Sequence, residues 1–203
     1  MIHDDRFKEK ISKAEIEELP GEKFSGEIFY IDTLPAFHEF FPAIRQARIL
    51  GFDTETRPTF KKGITNEVAL LQLSTSDQAF LFRLNRIGLP DELCSVLADP
   101  SVYKAGVAIR DDIAGLKRIK PFTPESFVDL QDYVKGFGIE DNGLKKLAAN
   151  ILGIRISKRQ QTSNWEQDML TQAQIEYAAT DAWVCYEIFD KLHKIKRING
   201  YGD

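Results

Sequence analysis

Short apolar runs bounded by polar or turn-forming residues recur through the first two thirds of this chain. Runs of this length that are rich in β-branched and aromatic side chains predict buried β-strands. The polar residues 74–78 separate two of the runs, which predicts a β-hairpin. The predicted strands are residues 28–31, 49–56, 68–73, 79–82 and 102–107, with a last short or edge strand at 127–130.

Helical periodicity dominates the later part of the chain. Because strands come first and helices follow, the order predicts an α/β fold in which helices flank a mixed sheet, in a single domain over residues 24–203. Residues 1–23 are charged, and their short helical pattern stops at Pro20-Gly21. We interpret them as an N-terminal arm, and a partly disordered leader is the alternative. The first predicted helix follows the capping residues Asp32-Thr33. The other predicted helices are residues 89–97, 109–119, 144–152, 167–170 and 174–198.

Composition and charge restrict the class of protein. The 203 residues are 43% hydrophobic and 29% charged, which is typical of a globular protein. We expect no membrane association and no signal peptide, because no apolar run is long enough for either. Cys94 and Cys185 have no metal-type spacing and are expected to be reduced in a cytoplasmic protein, with a disulfide as the less favoured alternative. The net charge of −4 argues against a long basic groove, so we expect nucleic-acid contact to be local and metal-assisted.

Two acidic residues lie at the end of one predicted strand. Asp53 and Glu55 follow an apolar run and are two positions apart, so their side chains point to the same face. Neighbouring carboxylates repel each other and are costly to bury unless a cation lies between them. Mg²⁺ and Mn²⁺ prefer oxygen ligands, so the pair predicts one side of a metal site.

Two later positions can complete a set of carboxylates. Asp111 and Asp112 begin the predicted helix 109–119, where an acidic residue is ordinarily a cap or a partner of the helix dipole. Tyr177 and Asp181 share one helix face, which is ordinarily a surface contact. The small residues around Asp181 leave this helix slim enough to pack on a sheet, which would bury the carboxylate beside a cation.

The chain resembles a known family at three motifs. The motifs are FDTET at residues 52–56, AGV at 105–107 followed by Asp112, and YAATD at 177–181. Their order and predicted elements are similar to those of the DEDD superfamily of 3'-5' exonucleases. The tyrosine branch, which includes ribonuclease D and the Werner syndrome exonuclease domain, fits because the third motif has no histidine. The resemblance covers about residues 24–197 and implies a ribonuclease H-like fold with a five-stranded mixed sheet flanked by helices.

The resemblance also implies the residues of an active site. Asp111 neighbours the second motif as well, and the family spacing favours Asp112. The implied cofactors are two divalent ions, Mg²⁺ or Mn²⁺, bridged by Asp53, while Tyr177 would orient the attacking water. The implied products are nucleoside 5'-monophosphates released from a 3' end. The implied metal ligands are Asp53, Glu55, Asp112 and Asp181, and Tyr177 is the fifth catalytic residue.

Residues near the motifs are candidates for substrate contact. Thr54 and Thr56 would contact the terminal sugar, although threonine is also common in strands for packing reasons. Lys158 and Arg159 would hold phosphates, or else form a solvated charge run. Trp165 lies at a helix entry, where tryptophan is more typical of a core anchor. Phe60 and the pair Lys61-Lys62 would guide a strand. The predicted substrate-binding residues are Thr54, Thr56, Lys158 and Asn164.

The sequence does not decide between DNA and RNA as the substrate with a free 3' end. We favour DNA slightly, because no accessory RNA-binding helical domain or helicase motor follows the motifs in this chain. A ribonuclease D-like exoribonuclease that processes RNA is the alternative. A non-catalytic nucleic-acid-binding module of the same fold is less favoured, because such a module would normally have lost a ligand. The oligomeric state is not predicted.

Overall fold

The computed structural model describes residues 6–59 and 66–199. Its strands are β1 Glu27–Ile31, β2 Ile49–Thr56, β3 Val68–Ser74, β4 Gln78–Arg83, β5 Tyr103–Gly106 and β6 Phe127–Asp129. They form a mixed sheet with the order β1-β4-β3-β2-β5-β6. The pairs β2–β3 and β3–β4 are antiparallel, which confirms the predicted hairpin, and the other three pairs are parallel.

The sheet has one strand more than the family resemblance implied. The expectation of five strands is wrong, because β6 pairs in parallel with β5 and extends the sheet to six strands. The apolar run at 127–130 indicates this edge strand correctly. The predicted α/β class, a mixed sheet flanked by helices, is confirmed.

Helices cover the sheet, and local capping explains where several begin. Thr33 caps α2 as predicted, since its hydroxyl accepts a hydrogen bond from the Ala36 N–H. A capping box between Thr171 and Gln174 begins the longest helix. The α-helices of the described ranges are α1 Lys13–Glu18, α2 Leu34–Ile44, α3 Leu84–Ile87, α4 Asp91–Leu97, α5 Arg110–Ile119, α6 Leu130–Tyr133, α7 Leu144–Leu147 and α8 Gln172–Ile198; α7 continues into a π-helical turn, Ala148–Leu152.

The segment before α8 is not helical, so the predicted helix at 167–170 is wrong. Two arginines account for its conformation. The fully buried Arg83 donates a hydrogen bond from Nη2 to the Gln167 carbonyl at 2.6 Å. Arg86 Nη2 donates to the Asp168 carbonyl, also at 2.6 Å. Both carbonyls are therefore bonded to side chains and not to a helical ladder.

Apolar side chains fill both faces of the sheet. One face, which includes Phe52 and Leu71, packs against α2, α4 and α5. The opposite face packs against α8, and Trp165 is completely buried there beside Tyr177, as expected of a core anchor. Both Cys94 and Cys185 are free thiols. Within residues 6–59 and 66–199, no helix combines the length and apolarity needed to cross a membrane.

Residues 6–23 lie against α7 and the turn that follows it. Ile11 and Ile16 are buried against Ala149. The Ile11 N–H donates a hydrogen bond to the buried Asp141 carboxylate at 2.8 Å, and Lys146 Nζ donates to the same carboxylate at 3.0 Å. The division into an arm (1–23) and a domain (24–203) stays a prediction.

Candidate active site

Two carboxylates project from β2 towards α8. Asp53 and Glu55 lie two positions apart, so both face the helix that crosses the strand. The crossing is very close, because Gly51 has no side chain: a Cβ there would lie 1.9 Å from the Ala182 carbonyl oxygen. This close approach places Asp181, the residue before Ala182, beside the two strand carboxylates.

The three carboxylates form a compact group, here called the acidic cluster. One oxygen each of Asp53, Glu55 and Asp181 lies within 4.8 Å of the others. Glu55 and Asp181 are only 8% and 7% exposed, and Asp53 is half-buried. Three negative charges in so small a space are unfavourable without a cation. The donors are all carboxylate oxygens, which fits a hard divalent ion such as Mg²⁺ or Mn²⁺.

Burial and mutual repulsion raise the pKa values of the acidic cluster. Burial, followed by the charge of Asp181, raises the pKa of Asp53 well above its ordinary value. Burial, followed by the charge of Asp53, raises the pKa of Glu55 to about 10. Burial raises the pKa of Asp181 to about 7, against a hydrogen bond from Tyr177 and the positive charge of Lys158, which both lower it. Cation binding must therefore displace protons from this group.

Tyr177 lies one helical turn before Asp181 on α8. Its hydroxyl donates a hydrogen bond to the Asp181 carboxylate. Burial, followed by the charges of Asp181 and Glu55, raises the pKa of the phenol. The ring packs against Trp165, with centroids 6.0 Å apart. Tyr177 is thus a neutral hydrogen-bonding group held at the edge of the acidic cluster.

Asp112 lies in the first turn of α5 and is half-buried, whereas Asp111 is exposed. The Asp112 carboxylate accepts a hydrogen bond from the Thr54 hydroxyl, which projects from β2 on the side away from Asp53. Burial raises the pKa of Asp112, and the hydrogen bond from Thr54 opposes this effect. Asp112 is therefore not part of the acidic cluster, although its carboxylate lies beside β2, the strand that carries Asp53 and Glu55.

Asp129 is a residue near the site that sequence reasoning missed. β5 leads into α5 through Ala108, whose φ of +59° costs a non-glycine residue about 1 kcal/mol. Asp129 Oδ1 accepts hydrogen bonds from the Ala108 N–H at 3.1 Å and from the Gln131 N–H at 2.9 Å. It thereby fixes the turn that precedes Asp112. Its capping of α6 is a local signal, but its contact with Ala108 depends on the pairing of β5 with β6.

A cleft of about 370 Å³ opens above the acidic cluster. Its walls come from β2, the turn after β5, the start of α7, residues 156–161 and α8. Lys145 and Lys158 line it and bring positive charge to the space above the carboxylates. Lys145 was not among the predicted substrate residues, although it lies within the range of about 24–197 over which the chain resembles the family.

The structure brings two of the four predicted substrate residues to the cleft. Thr54 and Lys158 line it. Thr56 is exposed and faces a smaller cavity beside α5. Asn164 is exposed, and its Oδ1 accepts a hydrogen bond from the Glu166 N–H at 3.2 Å, so the structure places it among turn residues and not in the cleft lining. Phe60, Lys61 and Lys62 lie outside the described residues.

Comparison with known proteins identifies the family to which the chain belongs. The sequence model of a family described as 3'-5' exonuclease matches residues 28–196. The bifunctional 3'-5' exonuclease/ATP-dependent helicase WRN of Mus musculus is 33% identical over 193 residues, which are 90% of this chain and 14% of that protein. Exonuclease 3'-5' domain-containing protein 2 of Drosophila melanogaster is 36% identical over 149 residues, 71% of this chain and 25% of that protein. The chain thus spans about a quarter or less of the length of these two relatives.

Solved structures share the fold. The Nibbler EXO domain of Aedes aegypti superposes with a TM-score of 0.77 at 25% identity and covers 88% of this chain and 94% of that one. Ribonuclease D of Escherichia coli is also similar in fold, with a TM-score of 0.74 at 24% identity. The superposition covers 87% of this chain and 46% of that one. The ribonuclease H-like fold implied by the motifs is therefore confirmed. With a family model matched over most of its length and relatives above 30% identity, the chain belongs to the 3'-5' exonuclease family of the DEDD superfamily.

Proposed function

We propose that this chain is a metal-dependent 3'-5' exonuclease that hydrolyses nucleic acid from a free 3' end and releases nucleoside 5'-monophosphates. The observation that carries the proposal is the acidic cluster. Residues from β2 and from α8, more than a hundred positions apart, place three carboxylates within 4.8 Å of one another below an open cleft. A fold that buried these groups only for packing would be destabilised by their repulsion.

The proposed metal ligands are Asp53, Glu55, Asp181 and Asp112. The compact acidic cluster would hold one divalent ion, and Asp53 and Asp112 would hold a second. Two such ions, when bound, activate a water for attack on the phosphodiester and stabilise the leaving 3' oxygen. The choice of Mg²⁺ or Mn²⁺ is supported by the all-oxygen donor set.

Tyr177 would orient the attacking water by hydrogen bonding. Its raised pKa keeps the phenol protonated at neutral pH, so it is poorly suited to remove a proton. Its hydrogen bond to Asp181 and its contact with Trp165 restrict the hydroxyl to the edge of the acidic cluster. We therefore assign it an orienting role in catalysis.

Lys158 and Lys145 would hold phosphates of the bound strand, because they are the lysines that line the described cleft. Thr54 would act mainly by holding Asp112, since its hydroxyl donates to that carboxylate. Thr56 and Asn164 would contact substrate only if nucleic acid extended beyond the cleft. A cytoplasmic location, where thiols stay reduced, is part of the proposal and is supported by the two free cysteines.

For the substrate we propose DNA with a slight preference over RNA. The alternative is an exoribonuclease that processes RNA 3' ends, and it is supported by the likeness in fold to ribonuclease D, whose structure is described as that of an exoribonuclease involved in structured RNA processing. Discrimination between the two depends on contacts near the 2' position of the sugar.

The test uses 5'-labelled single-stranded DNA and RNA of the same sequence with Mg²⁺ or Mn²⁺. A ladder of one-nucleotide steps and chromatographic detection of nucleoside 5'-monophosphates are expected, with the faster rate on DNA. A chelator and the substitution Asp53→Asn should each abolish the ladder, whereas Asp111→Asn, at an exposed neighbour of Asp112, should retain it. Binding of the oligonucleotide without degradation by the wild type would contradict the proposal and favour a non-catalytic module.

A further inference from the structure

The Gln72 side chain is buried without a hydrogen-bond partner. Gln72 lies in β3 and has no exposed surface, and neither its Nε2 nor its Oε1 has a partner within the described part of the chain. A buried polar group left unpaired costs about 1–3 kcal/mol. Such groups are rare in folded proteins, and each requires an explanation such as a strained position, a functional role, or a bound water or ion.

Gln72 lies directly opposite Asp53. The antiparallel register of β2 and β3 pairs these two residues, so both side chains share the sheet face that α8 covers. Opposed side chains on such a pair have Cβ atoms about 4.5–5.5 Å apart, which is within the reach of a glutamine amide. The same register pairs Glu55 with Leu70, which is apolar and buried. Of the two strand carboxylates, Asp53 is therefore the one that faces an amide.

Packing alone does not account for a glutamine at this position. On the other neighbouring strand, Gln72 pairs with Leu81 of β4. The α8 residues packed over this part of the sheet include Ala178 and Ala179, and these two and Leu81 are fully buried. An apolar side chain of the same volume would fill the space without leaving two amide atoms unpaired. The amide is explained if it forms a hydrogen bond in the state of the protein in which Asp53 is charged and holds a cation.

We propose that Gln72 is a positioning residue that donates a hydrogen bond from Nε2 to the Asp53 carboxylate when Asp53 holds a divalent cation. The inference rests on the proposed function, in which Asp53 is a metal ligand. One oxygen of Asp53 already accepts a hydrogen bond from the Thr54 N–H at 2.9 Å. A second donor, Gln72 on the neighbouring strand β3, would hold the Asp53 carboxylate in a fixed orientation. Hydrogen bonds to ligating carboxylates typically change metal affinity by 10–100-fold.

The experiment is the substitution Gln72→Met, which keeps an unbranched side chain of similar volume and removes the amide. Titration calorimetry with Mn²⁺ alone, without nucleic acid, measures metal affinity, and thermal unfolding measures the stability of the metal-free protein. We expect a 10–100-fold weaker Mn²⁺ affinity together with an unchanged or higher melting temperature. The matched control is Leu70→Met, on the same strand and face opposite Glu55, which should leave Mn²⁺ affinity unchanged.

Unchanged Mn²⁺ affinity in Gln72→Met would overturn this inference, and it would leave the proposed function intact if Asp53→Asn still abolished Mn²⁺ binding. An equal loss of affinity in Leu70→Met would also overturn it, because the effect would then be a general loosening of β3. Failure of the wild type itself to bind Mn²⁺ would instead overturn the proposed function. If Gln72→Met does not fold, Gln72→Leu is measured with the same criteria.

Discussion

Gly51 of β2 lies so close to Ala182 of α8 that a single added methyl group would overlap the helix backbone. A Cβ on Gly51 would lie 1.9 Å from the Ala182 carbonyl oxygen and 2.7 Å from the Tyr186 backbone nitrogen. Both are main-chain atoms in the middle of a long helix, so neither can move independently. The distance between strand and helix, and with it the acidic cluster, depends on this glycine.

The substitution Gly51→Ala should therefore push α8 away from β2. We expect a loss of about 3 kcal/mol in the free energy of unfolding, as for an overpacked core, and weaker Mn²⁺ binding because Asp181 is displaced. Urea denaturation and titration calorimetry measure the two effects. Gly136→Ala is the control, because nothing lies within 4 Å of a Cβ at that position. A Gly51→Ala protein with wild-type stability and metal affinity would contradict this account of the packing.

Removing one carboxylate from the acidic cluster should stabilise the metal-free protein. The pKa of Asp181 is raised to about 7 in the folded state and is near 3.9 when unfolded, so the folded state binds the proton more tightly. Stability is therefore lost as pH rises from about 4 to 7 and stays low above that range. We expect Asp181→Asn to gain about 2 kcal/mol at pH 8, or ~4–8 °C in melting temperature, and much less at pH 4.

Thermal scans of Asp181→Asn at several pH values, in the presence of a chelator, test this pH dependence. The exposed Asp111→Asn is the matched control and should change little. Added Mn²⁺ should raise the melting temperature of the wild type and not that of Asp181→Asn. A gain that was equal at pH 4 and pH 8 would show that burial of the charged Asp181 carboxylate is not its cause.

Tyr177→Phe should separate catalysis from folding. The phenylalanine ring can keep the packing against Trp165, so the melting temperature should change by little. The hydroxyl that bonds Asp181 is lost, and we expect single-turnover cleavage to fall about 100-fold or more while Mn²⁺ affinity changes far less. Tyr186→Phe, on the same helix and outside the cleft lining, is the control. Retention of full activity would contradict the orienting role.

Asp141→Ala should release the N-terminal arm. The buried Asp141 carboxylate accepts hydrogen bonds from the Ile11 N–H and from Lys146, so its removal leaves the Ile11 N–H and the lysine unpaired. We expect a loss of about 2 kcal/mol in stability and faster tryptic cleavage at Lys8, Lys10 and Lys13. Asp132→Ala, which removes an exposed partner of Lys135, should leave both measurements unchanged. Unaltered proteolysis in Asp141→Ala would show that the arm is held elsewhere.

Local periodicity predicted which of the candidate side chains share a face within one element, and the resemblance at the three motifs implied that they form a site. The two-residue repeat of a strand places Asp53 and Glu55 on one face, and the spacing of four on a helix places Tyr177 and Asp181 together. The run of small residues around Asp181 predicted a helix slim enough to approach the sheet, and the fully buried Ala178, Ala179 and Ala182 confirm it. These features depend on backbone geometry within one element, which the order of residue types determines.

Tertiary structure alone decided how the elements meet. Three contacts join residues from different elements. They are the pairing of Gln72 with Asp53, the hydrogen bond from Thr54 to Asp112, and the hydrogen bond from Arg83 to the non-helical segment before α8. Strand order and register arise from the packing of the whole core, which no local pattern specifies. The chain sequence was therefore enough to indicate the side chains that meet in the acidic cluster, whereas the partners that hold those side chains in place became visible only in the folded molecule.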